Sequence, residues 1–312
     1  PAPWNTARGR PCHRRGGGPI AGHRALCLPG GYAAAMPDLS LVLGLSALWV
    51  LTTLGGLGNT VGYHRLLTHR SFVAPQWLRN MLILLGSSTG GSPVFWVALH
   101  RLHHLRSDAE GDPHSPIHGR WWAHCGWLIG VKHPVVCALF AVSGFGQQAA
   151  IVWHDIRRLA GRNPPTWRAM AKDLMKEPLL RVLDAPMVMP ALFALQLTVA
   201  WAIAGPWGWV WLWALHVWLT NTSWAVNSIC HLPTMGTQPF DTGEGSRDVP
   251  WMALVTLGES YHNGHHRYPR SARHGLDGGL DLSWWIISTL EARGVVTKVW
   301  LPKKYRPKAP TR

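Results

Sequence analysis

Two long stretches without charge limit what this chain can become. Between Asp38 and Arg65 there is no Asp, Glu, Lys or Arg, and "LSLVLGLSALWVLTTLGGLGNTVGY" exceeds the roughly 20 residues that a spanning helix needs. A second uncharged run reaches from Ala185 to His231, long enough for two spans, with "AGPWG" at 204–208 as the turn between them. Charged residues make up only 14% of the 312, below the roughly 25% usual in soluble domains, and there are 20 Trp. The chain is read as an integral membrane protein.

The net charge of +15 would raise nucleic-acid binding as an explanation, but its distribution argues against it. The excess lies in an Arg-rich start, in "RRLAGRNPPTWRAMAKDLMKEPLLR" and in the tail "KVWLPKKYRPKAPTR", beside apolar spans. Basic segments there follow the positive-inside rule and suit anionic headgroups. Cys12, Cys27, Cys125, Cys137 and Cys230 form no C-x-x-C pair and are odd in number, which reads as free thiols rather than a disulfide framework or zinc knuckle. Residues 1–35 lack an apolar segment or any periodicity and are expected to be a disordered or mispredicted extension ahead of Met36. A membrane domain over 36–302 and a basic tail over 303–312 follow.

Histidines gather at the ends of the apolar runs. "GYHRLLTHRSF" carries His64 and His69, "HRLHH" carries His100, His103 and His104, and "ESYHNGHHRYP" carries His262, His265 and His266. "WAVNSICHL" adds Asn227 and His231, four apart and so on one helical face. A single H-x-x-H-H is more often a polar helix face than a metal site, but independent surface histidines have no reason to repeat it at a second span end. Imidazole ligates while uncharged, which suits a low-dielectric site. Nine imidazoles exceed what one ion can take, and two metals with about four or five ligands each would use them. Ligand type alone does not choose among Zn, Cu, Fe and Ni. The Cys of structural zinc sites, the H-E-x-x-H of zincins and the Glu-x-x-His of soluble di-iron bundles are all absent from these clusters.

From about Leu39 to Pro302 the chain resembles the membrane-bound fatty acyl desaturases, and most closely their stearoyl-CoA desaturase-like branch. "HRLLTHRSF", "HRLHHLRSDAEGDPHSP", "NTSWAVNSICHL" and "GESYHNGHHRYP" correspond in order to the first box, the second box with its D-P-H-S extension, the Asn/His segment and the third box. The resemblance implies an all-α membrane bundle with a cytosolic helical cap, in which His64, His69, His100, His103, His104, His231, His262, His265 and His266 ligate two irons and Asn227 holds a metal-bound water. It implies that Asp108, Asp112 and His114 support those ligands from behind, and that Trp96, Trp224 and Lys132 bind substrate.

The implied reaction is O2-dependent insertion of a cis double bond, at delta-9, into a saturated acyl chain. A hydroxylase on the same scaffold would need the same ligands. A histidine-rich metal transporter would need ionisable ligands within the spans, where only His216 and His231 qualify. Electrons must come from outside, because the chain has no dinucleotide fingerprint and no cysteine set for an iron–sulfur cluster. The family uses cytochrome b5 or a ferredoxin with its reductase, and Arg267, Arg270 and Arg273 offer a basic surface for such a carrier. Ala98 and Val131 stand where animal acyl-CoA enzymes have arginines, so acyl carrier protein or a lipid-bound chain stands beside CoA as the carrier. Family members also have a further span ahead of the first box that residues 1–35 cannot form.

Topology follows from parity. The second and third boxes must meet, so an even number of spans separates them, at about 187–204 and 207–226. The apolar segment 134–153, with "SGFGQQ" at its centre, is therefore expected in the cytosolic interface or packed on the cap.

Overall fold

A computed structural model describes residues 39–161 and 166–306. The expectation for residues 1–35 and most of the basic tail lie outside the described residues. Within them the chain is helical, with isolated bridges only, such as Val73 with Thr297. Helix α1 (Leu39–Leu57) runs directly into a wider-wound segment, Gly58–Thr68. Then follow α2 (Gln76–Ser87), α3 (Pro93–Arg106), a short α4 (Trp122–Ile129), α5 (Pro134–Val142), α6 (Gly146–Leu159), α7 (Pro178–Leu183), α8 (Val188–Ile229), α9 (His262–Arg267) and α10 (Leu282–Ala292).

Among the described residues, two helical stretches are long and apolar enough to cross a bilayer, Leu39–Thr68 and Val188–Ile229, and Trp122–Ile129 with Pro134–Val142, bent by 85°, would be a third if counted as one broken span. Much of their surface is exposed and apolar, as at Leu43, Trp49, Leu195 and Trp209, which suits hydrocarbon rather than water. The second stretch is two helices. Ala204 and Gly205 leave helical geometry, and Gly205 takes φ +54° with ψ −140°, a conformation that favours glycine. Pro206 then starts the second arm, where its missing N–H costs nothing. Trp209 Nε1 donates to the Leu197 carbonyl at 2.8 Å and His216 lies 3.3 Å from Gln196 Oε1, so the arms run antiparallel. The second arm thus returns alongside the first.

Segment 134–153 is two helices packed against α4 and α8. Helices α5 and α6 form a hairpin whose turn packs deep along α8: Trp213 Nε1 donates to the Val142 carbonyl at 3.2 Å, and Phe145 meets Phe193 with ring centroids 5.3 Å apart. Trp213 is roughly 27 Å along the helix from His231 at 1.5 Å per residue. The far end of α6 comes back to the start of α8, where Asp155 accepts from the Met187 backbone N–H at 2.8 Å. The glycines that disfavour a straight span permit a tight turn here: Gly144 has φ +69°. Cys137 on α5 is fully buried.

The wide winding of Gly58–Thr68 sets the first histidine pair. His69 N–H donates to the His64 carbonyl at 3.1 Å, an i to i+5 bond. Residues five apart diverge on an α-helix but share a face on a π-helix, so this winding aims His64 and His69 at one point. Close packing against α2 holds it in place. A Cβ at Gly58 would overlap the Gly86 backbone nitrogen, and Tyr63 Oη lies 2.7 Å from Ser87 Oγ. Arg101 on α3 ties the segment down by donating to the Leu67 carbonyl at 3.0 Å and to Asp173 at 2.7 Å.

The hairpin arrangement predicts a labelling pattern. With the native cysteines replaced, cysteines at Arg157 and Arg270 should react with an impermeant thiol reagent from the same side of a vesicle, and one at Trp207 from the other. Labelling of Arg157→Cys and Trp207→Cys from one side would break the topology.

Candidate metal centre

Helix α3 presents His100, His103 and His104, and α9 presents His262, His265 and His266. The i, i+3, i+4 spacing puts each set on one face, but not toward one point. His64, His69, His100, His104 and His265 bring ring nitrogens within 4.8 Å of one another, and His103, His231, His262 and His266 form a second such group. Each H-x-x-H-H is thus divided between the two groups.

The spacing fits metal ligation. Two nitrogens about 2.1 Å from one ion and at right angles to each other would sit about 3.0 Å apart. In the first group, Nε2 separations are 3.1 Å for His64 and His265, 3.2 Å for His69 and His100, 3.0 Å for His100 and His104, and 2.9 Å for His104 and His265. In the second, His103 and His266 are 3.3 Å apart and His262 and His266 3.1 Å. His231 Nε2 is buried with no hydrogen-bond partner. Burial holds His69, His100, His104, His262, His265 and His266 well below the ordinary imidazole range, and neighbouring imidazoles push further the same way. His103 falls to about 3 by burial and the nearby His231. Uncharged imidazoles are the form a metal takes.

Carboxylates sit behind the rings. His64 Nδ1–H donates to Glu259, His103 Nδ1–H to Asp112 at 2.9 Å, and His231 Nδ1–H to Asp108 at 3.0 Å. A proton fixed on Nδ1 leaves the Nε2 lone pair for the metal side and raises its basicity. Asp108 is pushed up by burial, but hydrogen bonds from His231 and the Gly245 N–H bring it below the usual carboxylate range. His114 stacks near His103 with centroids 4.4 Å apart and is drawn down to about 3 by burial.

Four neighbours were not singled out by sequence. Glu259 supports His64, and Glu244 lies 3.5 Å from His266 Nδ1 and 3.7 Å from His231 Nδ1. His274 is fully buried with its ring 4.4 Å from His265 and its Nδ1 3.4 Å from Glu259. Arg65, wholly buried, pairs with Glu259 at 3.2 Å and Asp281 at 2.9 Å. Glu259 had a legible signal, an acid inside the third box three residues before His262; Glu244 and His274 are brought in only by the loops that flank α9.

A cavity reaches both groups. His64, His100 and His262 line it together with Trp96, Trp224, Asn227 and His114. Trp96 stacks on His100 with centroids 4.9 Å apart, and Trp224 stacks on Phe140 at 5.7 Å. Lys132 lines neither this cavity nor its neighbour; exposed, it sits 5.6 Å over the Trp122 ring. His216, inside a span, is bonded to Gln196 and is remote from both groups in the site.

Comparison with known proteins identifies the family. The family model for fatty acid desaturases matches residues 41–293. The chain is 34% identical over 282 residues to an sn-1 stearoyl-lipid 9-desaturase of Anabaena variabilis, covering 89% of this chain and 88% of that one. It is 36% identical to delta-9 acyl-lipid desaturase 2 of Arabidopsis thaliana, covering 82% and 76%, and 33% identical to an acyl-CoA 5-desaturase of Anemone leveillei, covering 89% and 79%. With a helical membrane bundle around clustered histidines, this chain belongs to the fatty acid desaturase family and is an oxidoreductase.

Carboxylates that orient metal-binding rings have a measurable effect. Asp112→Asn and Glu259→Gln are each expected to weaken metal binding by about 10–100-fold in a chelator competition, while Lys132→Ala leaves it unchanged. Unaltered affinity in both acid variants would remove their supporting role.

Proposed function

We propose that this chain inserts a cis double bond at the delta-9 position of a saturated acyl chain, using O2, two irons and an external electron donor. The observation that carries this reading is the meeting of two imidazole groups with one largely apolar cavity. The names of relatives include 9-desaturases at 34% and 36% identity, and these favour delta-9 over the delta-5 and delta-7 positions that other relatives' names carry.

His64, His69, His100, His104 and His265 would hold one iron, and His103, His231, His262 and His266 the other, with Asn227 reaching the second through a water. Bound iron would supply the O2-dependent removal of hydrogen from two adjacent unactivated carbons, which no acid or base side chain can do. The protein's part is placement. Phe95, Trp96, Leu99, Trp127 and Leu128 line the cavity with apolar surface that suits methylenes and excludes water. Trp96 braces His100 by stacking, and Trp224 closes the wall contributed by α8. The carboxylates behind His64, His103 and His231 keep those protons on Nδ1.

The acyl chain would arrive on CoA, acyl carrier protein or a membrane lipid. The electron donor is proposed to be cytochrome b5 or a ferredoxin with its reductase, docking where exposed Arg267 and Arg270 adjoin α9 with Arg273 beside them. The protein would cross the membrane several times with the histidines on the cytosolic side.

Purified protein is expected to contain two irons per chain, and His→Ala at any of the nine positions to abolish turnover. Stoichiometric zinc with O2-independent activity would refute this. Fatty-acid profiling of a host expressing the chain should show a new monounsaturated acid that requires O2 and reductant. A product heavier by one oxygen atom would identify a hydroxylase instead.

A further inference from the structure

His274 lies beside the first imidazole group without belonging to it. It stands in the loop after α9, 1% exposed, and its ring nitrogens have no hydrogen-bond partner among the described residues. Burying an imidazole in this way is unfavourable unless the ring serves its neighbours. The backbone fixes where it stands. His274 N–H donates to Asp281 Oδ2 at 2.7 Å, while Asp281 Oδ1 accepts from Arg65 at 2.9 Å and from the Trp284 N–H at 2.8 Å. The loop is thus tied to the residue next to His64 and to the start of α10.

The ring meets two members of the first group by different routes. Its face lies against His265, with centroids 4.4 Å apart and planes tilted by 37°. His265 points Nε2 at His64 and His104, at 3.1 and 2.9 Å, whereas its Nδ1 is buried with no hydrogen-bond partner among the described residues. His64, His103 and His231 each have a carboxylate behind them, and His265 rests on His274 instead. The second route runs through Glu259. Its Oε2 accepts from His64 Nδ1 and also faces His274 Nδ1 at 3.4 Å, while its Oε1 lies 3.2 Å from Arg65. A lone pair aimed at a carboxylate would be repelled, so the His274 proton sits on Nδ1 and its attraction holds Oε2 between two imidazoles.

The second group repeats the pattern in another part of the chain. His114 Nδ1 lies 3.7 Å from Asp112, which accepts from His103 Nδ1, and the His114 ring stands 4.4 Å from that of His103. A buried imidazole that shares the carboxylate of a neighbouring group member thus occurs at each group. We propose that His274 is a positioning residue for the first metal group: its Nδ1–H keeps the Glu259 carboxylate against His64, and its ring backs His265, so that one ligand from the first box and one from the third are held to a common support. This rests on the two-metal reading of the imidazoles and names a residue that serves one of the metals from behind its ligands.

The test measures cobalt(II) binding by the full chain in detergent, through its visible absorption in competition with a chelator. Two backgrounds separate the groups: His103→Ala leaves the first intact, and His69→Ala leaves the second. His274→Gln, whose amide nitrogen reaches the place of Nε2, is expected to weaken binding about 10–100-fold in the first background and not in the second. His274→Asn, whose amide nitrogen takes the place of Nδ1 and can still donate to Glu259, should stay close to the unsubstituted background. A destabilised fold would lower both backgrounds and would not tell the two amides apart. Equal loss for Asn and Gln, equal loss in both backgrounds, or full affinity in the Gln variant would overturn the assignment. Should His274→Gln fail to fold, His274→Leu, similar in bulk, replaces it with the same expected loss. A chain that binds cobalt with these differences yet makes no unsaturated product would overturn the desaturase reading and leave His274 in its role, whereas an unsubstituted chain that binds no cobalt would overturn the metal reading from which both start.

Discussion

Nine imidazoles drawn to two points form the constraint on which the rest of this structure depends. Each ring gives up water on entering the protein, and all but His231 aim a ring nitrogen at another roughly 3 Å away. Without support this would be among the most costly arrangements a core can hold, since unpaired buried polar groups cost about 1–3 kcal/mol each. The structure answers in layers. Asp108, Asp112 and Glu259 take the protons on the far side of His231, His103 and His64. Arg65 balances Glu259 and Asp281, and Asp281 in turn caps α10 by accepting from the Trp284 N–H at 2.8 Å. Losing one partner of such a buried pair costs about 3–5 kcal/mol, so the cage and the fold around it stand or fall together.

This dependence explains why the helices take unusual forms near the site. A straight α-helix would turn His69 away from His64, and the π-wound Gly58–Thr68 segment turns it back. The α9 helix is only six residues long, too short to be stable alone, and is held by its contacts; Asp248, for instance, accepts from the Gly264 N–H at 3.1 Å. By contrast α1 and each arm of α8 on either side of Gly205 are regular, because in hydrocarbon every backbone group must be bonded within its own helix. Regular spans therefore fix the depth and direction from which the irregular, histidine-bearing ends meet.

The hairpin of α5 and α6 has two unlike faces. Its outer face is apolar and exposed, while its inner face closes a cavity whose polar end is a set of mutually satisfied ions. A wall of this kind sheds water and lets methylenes approach the imidazoles, which is what chemistry on an unactivated hydrocarbon requires.

The sequence by itself determined the membrane class, because charge-free apolar runs of this length suit helices that span lipid, and it picked out the histidines that gather in two groups, because repetition at span ends is improbable by chance. It also located the turn between the two arms of α8 at "AGPWG", since glycine and proline are read locally. It could not divide the histidines between two groups. His103 and His104 are neighbours in the chain yet serve different groups, and only the approach of α9 and the end of α8 decides which ring turns which way. Nor could it assign Glu244 or His274, which lie outside any periodic pattern and come into place by long-range packing. Packing was hidden for the same reason: "SGFGQQ" announces that a straight span is broken, but the helices against which the pieces pack, at Trp213 and Phe193, lie far away in sequence. Local chemistry fixes what each segment can be, and the directions in which side chains finally point are set by contacts between segments that the sequence does not put next to each other.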